Sequence, residues 1–411
     1  MSENIEVVVI GGGYAGVMAA NRLTRRADVT VTLINPRPAF VNRIRLHQLA
    51  AGSGDAVVDY RNVLSDRVRL VAVVDYRNVL SDRVRLVVDT VTRIDPATRT
   101  VAPAARPDLG YDYLIYAVGS GSAAPTVPGA AEFAYRVGTL EEARRLRPAL
   151  DDTPVSAPVV VVGGGSTGIE VAAEMAEQGR VVTLVCGEAL AGYLHPRIRR
   201  SVVERLTRLG VTMLDGPDAT AVEVTRDAVR LSGGHTLRSA VTIWTAGFST
   251  PDLAARSGLS TDAMGRLLTD ETLTSVDDER IVAAGDSASP SGAPLRMSCQ
   301  SARPLGAHAA DTVLARIEGG RPGTIDVGFF GQCIGLGRRA AMVQLATRDD
   351  TVTRFGFGGR VAAMIKESAC RGVIEELAAE AREPGAFSWL FKDRKRGRKV
   401  RAAGEAVPVG R

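Results

Sequence analysis

Short runs of β-branched and aliphatic residues, each closed by glycine, set the rhythm of this chain. Ile5 to Ile10 runs into Gly11-x-Gly13-x-x-Gly16, and Val159 to Val162 runs into Gly163-x-Gly165-x-x-Gly168. Runs of this length suit buried strands, and the Ala-rich stretches beyond them, Val17 to Leu23 and Ile169 to Gln178, suit helices. Each unit therefore predicts a strand, a tight turn and a helix. A second strand, Val29 to Ile34, precedes an Arg-rich loop and helix over Arg37 to Ala51. Tyr111 to Ser120 predicts another buried strand entering a glycine turn, and Val241 to Gly247 and Arg280 to Ser287 repeat that pattern. A polar hairpin region spans Val222 to Leu237, while Phe329 to Arg339 and Arg354 to Lys366 read as a strand-rich module with Gly-Arg turns.

The glycine spacing brings chemistry into this pattern. The first glycine permits the turn, the second lets backbone approach a pyrophosphate, and the third lets helix pack on strand, with phosphates at the helix N-terminus. A glycine-rich turn without a ligand is the plain alternative to either motif alone; two of them, both in strand-turn-helix context, imply two dinucleotides. At 411 residues the chain predicts two or three domains, and 45% hydrophobic residues place it among globular proteins. No apolar run reaches the ~18 residues of a membrane span, and the N-terminus lacks a secretory pattern, so a cytoplasmic location is expected. Cys186, Cys299, Cys333 and Cys370 lie far apart, with no C-x-x-C spacing, and His47, His195, His235 and His308 are isolated, so no metal site is expected.

Two features break the rhythm. Ala56 to Val71 reads AVVDYRNVLSDRVRLV, and Ala72 to Val87 repeats it residue for residue. Two copies do not make a solenoid. Each holds a short helix, as at Tyr60 to Leu64, and a strand, as at Val68 to Val71, so one copy is expected to fill the sheet and the other to be extruded as an insertion, at a modest loop cost. At the far end, eight Lys or Arg and two acids lie between Lys392 and Arg411, directly after Phe387-Ser388-Trp389-Leu390-Phe391. Without this basic tail the body is close to neutral. The favoured reading is a solvated, structureless end with Trp389 against the body; the alternative is a peripheral membrane contact, with Lys392, Arg394, Lys395, Arg396, Arg398, Lys399 and Arg401 facing anionic lipid. No aromatic-interleaved basic surface points to nucleic acid.

Taken together, the two fingerprints, the Ala117-Val118-Gly119 turn and the late Gly285-Asp286 make the chain resemble the two-dinucleotide-domain pyridine nucleotide flavoproteins, most of all type II NADH dehydrogenases and apoptosis-inducing-factor-like oxidoreductases. The match covers about residues 5 to 370. The resemblance implies an α/β fold of two Rossmann-like, three-layer domains, one inserted in the other, plus a small α+β module. The boundaries are then 1–124 and 248–323 for FAD, 125–247 for NAD(P)H, 324–385 for the C-terminal module and 386–411 for the tail. It also implies that Gly11, Gly13, Tyr14, Ala15, Gly16, Asn35, Arg43, Ala117, Gly119, Gly285 and Asp286 hold FAD, and that Gly163, Gly165, Thr167, Gly168 and Glu170 hold NAD(P)H, with NADH favoured. The helix starting near Ser298 would aim its N-terminus at the flavin, favouring the reduced anion.

Departures from the family pattern shape the functional expectation. Asn35 stands where an acid takes the adenine ribose, Val118 where threonine is usual, and Cys186 and Glu188 displace the acid that marks NADH. The quinone motif Ala-Gln-x-x-x-Gln reads Cys299-Gln300-Ser301-Ala302-Arg303-Pro304. Gln300, His47 and Lys366 are the candidate catalytic residues, His47 as a proton donor near neutral pH. With no closely spaced cysteines beside the flavin, the acceptor must meet it directly. The expected reaction is ping-pong: hydride passes from NAD(P)H to FAD, then two electrons pass to a quinone or similar small acceptor, with the C-terminal module building a homodimer or membrane face. A reductase serving a ferredoxin or oxygenase, and a non-enzymatic NADH-sensing flavoprotein, are the alternatives.

Overall fold

The computed structural model describes residues 4–53 and 73–405. Strand Ile5–Ile10 lies at the centre of a five-stranded parallel sheet, between Tyr113–Tyr116 and Val29–Asn35, with Ile281–Ala283 and Val84–Val88 at the edges. Val7, Val8, Val9 and Ile10 are all buried, as befits a run without polar alternation, because helices cover both faces of such a sheet. A second parallel sheet repeats the plan around Pro158–Val162, flanked by Val241–Trp244 and Val181–Val185, with Ala134–Arg136 and Thr212–Leu214 outermost. In both, the chain leaves the glycine strand outward on one side and later returns on the other, although in the second sheet the edge strand Ala134–Arg136 precedes the glycine strand. Each glycine turn therefore sits at a switch point, where a crevice opens beyond the strand ends. Strand Ile281–Ala283 rejoins the first sheet after the second is complete, so one Rossmann-like unit is inserted in the other.

Nine of the ten residues in helix Tyr14–Leu23 are buried. The long helix Cys299–Ile317 lies across it with Gly306 at the crossing, where a Cβ would come within 2.2 Å of the Ala15 carbonyl oxygen. The polar hairpin region is a three-stranded antiparallel sheet, Ala221–Val224, Ala228–Leu231 and Thr236–Arg238. At the C-terminus, strands Gly331–Gly335, Ala341–Ala346 and Val352–Gly359 form an antiparallel sheet backed by helix Arg360–Arg382. The expectation of strand through Lys366 is corrected here. Gly358 and Gly359 end the strand, and the Ala-, Met- and Lys-containing segment beyond favours helix.

Of the duplicated segment, the second copy occupies the sheet. Its 3-10 turn Tyr76–Asn78 leads to edge strand Val84–Val88, the buried Tyr76 hydroxyl donates to the Gly12 carbonyl at 2.7 Å, and the Asn21 amide donates to Val79 O at 2.7 Å. The first copy, with the expected extruded insertion, lies outside the described residues. Because the copies are identical, removing 56–71 or 72–87 yields the same shortened chain. That chain is expected to keep wild-type melting temperature and cofactor content, since it retains every contact of the remaining copy; loss of bound flavin would refute redundancy.

The aromatic knot packs inward. Phe387 is buried, Trp389 Nε1 donates to Gly328 O at 2.9 Å, Arg303 stands over the Trp389 ring at 5.5 Å, and Phe391 meets Phe330 at 5.0 Å. Trp389 thus lies against the body, while Leu390 remains 82% exposed. Beyond it the chain is helical over Arg396–Glu405, a correction to a structureless end. Two cations expected to face outward are held by the body: Arg396 forks onto Glu271 at 2.8 and 3.1 Å, and Lys392 pairs with Asp326 at 2.8 Å.

Candidate functional site

The first glycine turn is shaped by neighbours that leave no room for side chains. Gly11 has φ +101°, and its missing Cβ would lie 2.3 Å from Ala117 O; a Cβ on Gly16 would lie 1.8 Å from Gly11 O. Gly13 differs: no atom lies within 4 Å of its Cβ position, and no side chain caps the helix it precedes. The first helical amides therefore face open space, which suits an anion. The second turn repeats this, since a Cβ on Gly168 would lie 1.9 Å from Gly163 O, the Cβ position of Gly165 is open, and no side chain caps helix Ser166–Glu177, Thr167 lying in its first turn.

Around the first cradle, Asn35 Oδ1 accepts the Gly12 N–H at 2.9 Å while its Nδ2 donates to Arg37 O at 2.8 Å. The amide that replaces the usual acid thus staples the glycine loop to the next one. Tyr14 points inward: its hydroxyl donates to Asn42 Oδ1 at 2.8 Å, its ring meets Phe40 edge-on, and burial raises its phenol well above the ordinary value. Ala15 packs under Gly285, whose φ is +74°. Beyond the Ala117-to-Gly119 turn, Asp286 accepts from Ser120 Oγ at 2.7 Å and from the Ser298 N–H at 3.2 Å, and Arg43 reaches Ser120 Oγ at 3.1 Å and Asp286 at 3.9 Å. Asp286 therefore braces the start of helix Cys299–Ile317, whose own cap is the Ser298 hydroxyl. Gln300 follows in its first turn, with Oε1 buried and lacking a hydrogen-bond partner. Open amides, a braced carboxylate and an unused buried acceptor together fit FAD.

The remaining candidates converge elsewhere. Glu170 and Glu174 lie one turn apart on helix Ser166–Glu177, facing His47 on the short helix Leu46–Ala51 and Lys366 on helix Arg360–Arg382. Lys366 Nζ contacts Glu170 Oε1, which also accepts the Gly335 N–H at 2.9 Å. Burial would push Glu170 up and Lys366 down, but each holds the other ionised: the Glu170 carboxyl ends below its ordinary value and the Lys366 ammonium above. Sequence reasoning gave Glu170 to NAD(P)H and Lys366 to catalysis; it did not foresee their pairing. It also missed Gly306, Arg45, which forks onto Glu367 at 3.1 and 2.5 Å, and Glu174. Gln300, on another helix, is outside this cluster.

His47 corrects its sequence-based role as a donor that titrates near neutrality. Burial pushes its imidazole down to about 4, and the positive charges of Lys366, Arg338 and Arg45 add to this against the opposing pull of Glu170. Its nitrogens lie 3.5 Å from Glu170 Oε2 and 4.0 Å from Glu174 Oε1. At neutral pH it is an uncharged imidazole. The unfolded chain protonates this residue near pH 6.5, so its contribution to stability falls as pH drops from about 6.5 to about 4 and is flat above. NMR of the imidazole should show no titration midpoint between about pH 5 and 8.

A cavity of about 760 Å³ opens against this cluster, lined by His47, Glu174, Lys366, Cys370, Arg338 and Met364 among others. Cys370 joins it to the first cradle, since its peptide oxygen takes the Asn42 amide at 3.5 Å and Asn42 holds Tyr14. Met364, in the lining, is 70% exposed, and Val361 and Ile365 stand exposed on the same helix. The four cysteines are free thiols. Among the described residues, no His, Cys, Asp and Glu group suits a metal, and no helix is long and apolar enough to cross a membrane.

Known proteins share this architecture. A NADH dehydrogenase-like protein of Mycobacterium tuberculosis is 31% identical over 339 residues, covering 75% of this chain and 80% of that protein. A type II NADH:quinone oxidoreductase of the same organism is 28% identical over 362 residues, covering 77% of this chain and 73% of that protein. The structure of sulfide:quinone oxidoreductase from Aquifex aeolicus superposes with a TM-score of 0.74 at 19% identity, covering 92% of each chain. Residues 5–310 match the pyridine nucleotide-disulphide oxidoreductase family, twin cradles included, and the chain belongs to that family.

Proposed function

We propose that this FAD- and NADH-dependent oxidoreductase passes two electrons to a quinone or similar small lipophilic acceptor admitted beside Lys366. The observation that carries the reading is the Glu170–Lys366 pair. It stands on the helix opened by the second cradle and on the wall of a cavity whose lining residue Cys370 is linked through Asn42 to Tyr14 of the first cradle. On this reading the donor, carrier and acceptor sites adjoin one buried charge pair. The relative whose name specifies quinone supports the acceptor class, and the exposed Met364 in the cavity lining, with Val361 and Ile365 exposed on the same helix, suits a lipophilic molecule arriving at a membrane surface.

Gly11, Gly13 and Gly16 would cradle the FAD pyrophosphate, Asp286, Arg43 and Gln300 would meet its polar groups, and Gly163, Gly165, Thr167 and Gly168 would hold the pyrophosphate of NADH. Bound FAD supplies hydride acceptance and two-electron release. The chain itself positions and insulates. Its two helix starts would orient the phosphates, the buried Tyr14 and Cys370 with the half-buried Cys299 would keep water away, and Lys366 holds a proton within reach of an acceptor oxygen.

Anaerobic mixing with NADH, followed by menadione, tests the reading. Rapid flavin bleaching and quinone-dependent reoxidation are expected, with NADH preferred over NADPH in steady-state turnover. A long-lived charge-transfer complex indifferent to menadione, ubiquinone analogues, ferricyanide and oxygen would favour a sensor instead.

A further inference from the structure

Three arginines converge on a second cavity, at the end of helix Tyr14–Leu23 remote from the first glycine turn. The space measures about 340 Å³ and is lined by Arg25, Arg83, Arg382, Ser81, Thr24 and Pro384 among others. Thr24 and Arg25 follow the first helix, Ser81 and Arg83 belong to the second duplicated copy, and Arg382 and Pro384 lie at the end of helix Arg360–Arg382. Among the described residues no carboxylate lines the pocket; Asp82 and Glu383 are exposed sequence neighbours outside it. Two helices end here, and their last carbonyls would repel an anion. Arg83 covers those of the first: Nη1 donates to Thr24 O and Nη2 to Arg26 O at 2.8 Å, which also holds the guanidinium in place. Arg25 stands 3.7 Å from Asp311, which already takes Arg22 at 2.7 Å. Arg382 makes no ion pair or side-chain hydrogen bond among the described residues. Ser81 is anchored by its N–H, which donates to Asn21 Oδ1 at 2.8 Å, and its Oγ accepts the Arg83 N–H at 3.4 Å, so its hydroxyl proton is free to give.

Like charges gathered around one space without a counter-charge repel each other, and an anion between them removes that repulsion. We propose that this pocket binds the phosphate group of a soluble small molecule. Guanidinium forks match phosphate oxygens two at a time. Arg83 supplies a fixed fork, Arg25 and Arg382 the flanking charges, and Ser81 a hydroxyl donor. The volume lies at the lower end of the roughly 300–1,000 Å³ of small-ligand pockets, enough for a phosphate with a small organic remainder. Helix Arg360–Arg382 has 23 residues, and its rise of ~1.5 Å per residue sets Arg382 roughly 30 Å from the exposed Val361 and Met364. The pocket thus lies well apart from the apolar end of that helix, which favours a ligand from solution over a lipid headgroup. An anion here would join the first helix, the second duplicated copy and the end of the C-terminal helix without touching either cradle or the acceptor cavity.

Calorimetric titration of the FAD-loaded protein, saturated with NAD+ so that both cradles are filled, tests the site. Inorganic phosphate and glycerol 3-phosphate are the probes, with sodium chloride holding the ionic strength constant. Saturable binding of one anion per chain is expected. Arg382→Ala should weaken it about tenfold, and Arg382→Glu should abolish it. Both variants should melt like the wild type in phosphate-free buffer, because Arg382 is exposed and holds no other side chain. Wild-type affinity in R382E would overturn the site, as would a phosphate response that disappears at constant ionic strength. Vesicles of phosphatidic acid in phosphatidylcholine decide the source: capture by them that R382E loses, without binding of either soluble probe, would overturn the soluble ligand in favour of a lipid headgroup.

Discussion

Gly16→Ala is expected to yield a nearly colourless protein. The new methyl group would lie 1.8 Å from Gly11 O, an unyielding backbone atom at the floor of the first cradle. Either the helix Tyr14–Leu23 lifts off the strand or the turn opens, and both outcomes move the amides that face the phosphates. Overpacking of this kind costs about 1–3 kcal/mol of fold stability. Each 1.4 kcal/mol of lost phosphate contact lowers FAD affinity about tenfold. Visible absorbance relative to protein absorbance should fall by about tenfold or more after purification, and the melting temperature should drop. Gly13→Ala separates the two effects, because no protein atom lies within 4 Å of its Cβ position. Its apo form should melt like the wild-type apo form while binding FAD more weakly. A bright yellow G16A protein would show that this turn is not the flavin's cradle.

Lys366→Ala should be the most damaging change in the acceptor region. Removing the ammonium leaves Glu170 buried with a neutral imidazole and one peptide N–H, and orphaning one member of a buried pair costs about 3–5 kcal/mol. The double variant Lys366→Met with Glu170→Gln should regain much of that loss. In the wild type, Glu170 contributes stability above its unfolded value of about 4.3 and loses it as pH falls through its lower folded value; Lys366 contributes below about 10.4 and loses it as pH rises through its higher folded value. The gap to K366A is therefore widest across neutral pH. Without its partner, Glu170 titrates above its unfolded value, so K366A should gain stability on acidification from pH 7 to about 5. Urea melts at several pH values measure this. A gap that does not vary with pH would show that the pair is not ionised in the folded protein.

Much of the architecture was legible because it is written in short-range patterns. A β-branched run, three spaced glycines and an Ala-rich stretch demand strand, turn and helix within about twenty residues, and both cradles formed where such stretches occur. The choice between the duplicated copies could not be read, since identical residues carry identical propensities and only the contacts of Tyr76, Val79 and Ser81 with Gly12 and Asn21 single one out. The charged cluster was hidden for a different reason. Glu170 and Lys366 are 196 positions apart, and His47 comes from a third element, so only the fold makes them neighbours. His47 shows the limit most clearly: its proton affinity is set by burial, which a lone histidine in a sequence does not announce. Asn35 was visible as a departure, but not its task of stapling the glycine loop.

The inward-turned aromatic knot changes how the end of the chain can be handled. Phe387 is seated in the same core as the first cradle, its peptide N–H is taken by Glu380, its carbonyl by Arg22, and Arg396 clasps Glu271 beyond it. The segment from Phe387 to Arg396 thus acts as a latch over the flavin half rather than as a detachable appendage. Truncation at Pro384 would spring that latch, and the resulting loss of colour would be mistaken for a lost membrane anchor; cuts or purification tags intended to probe localisation belong after Glu405.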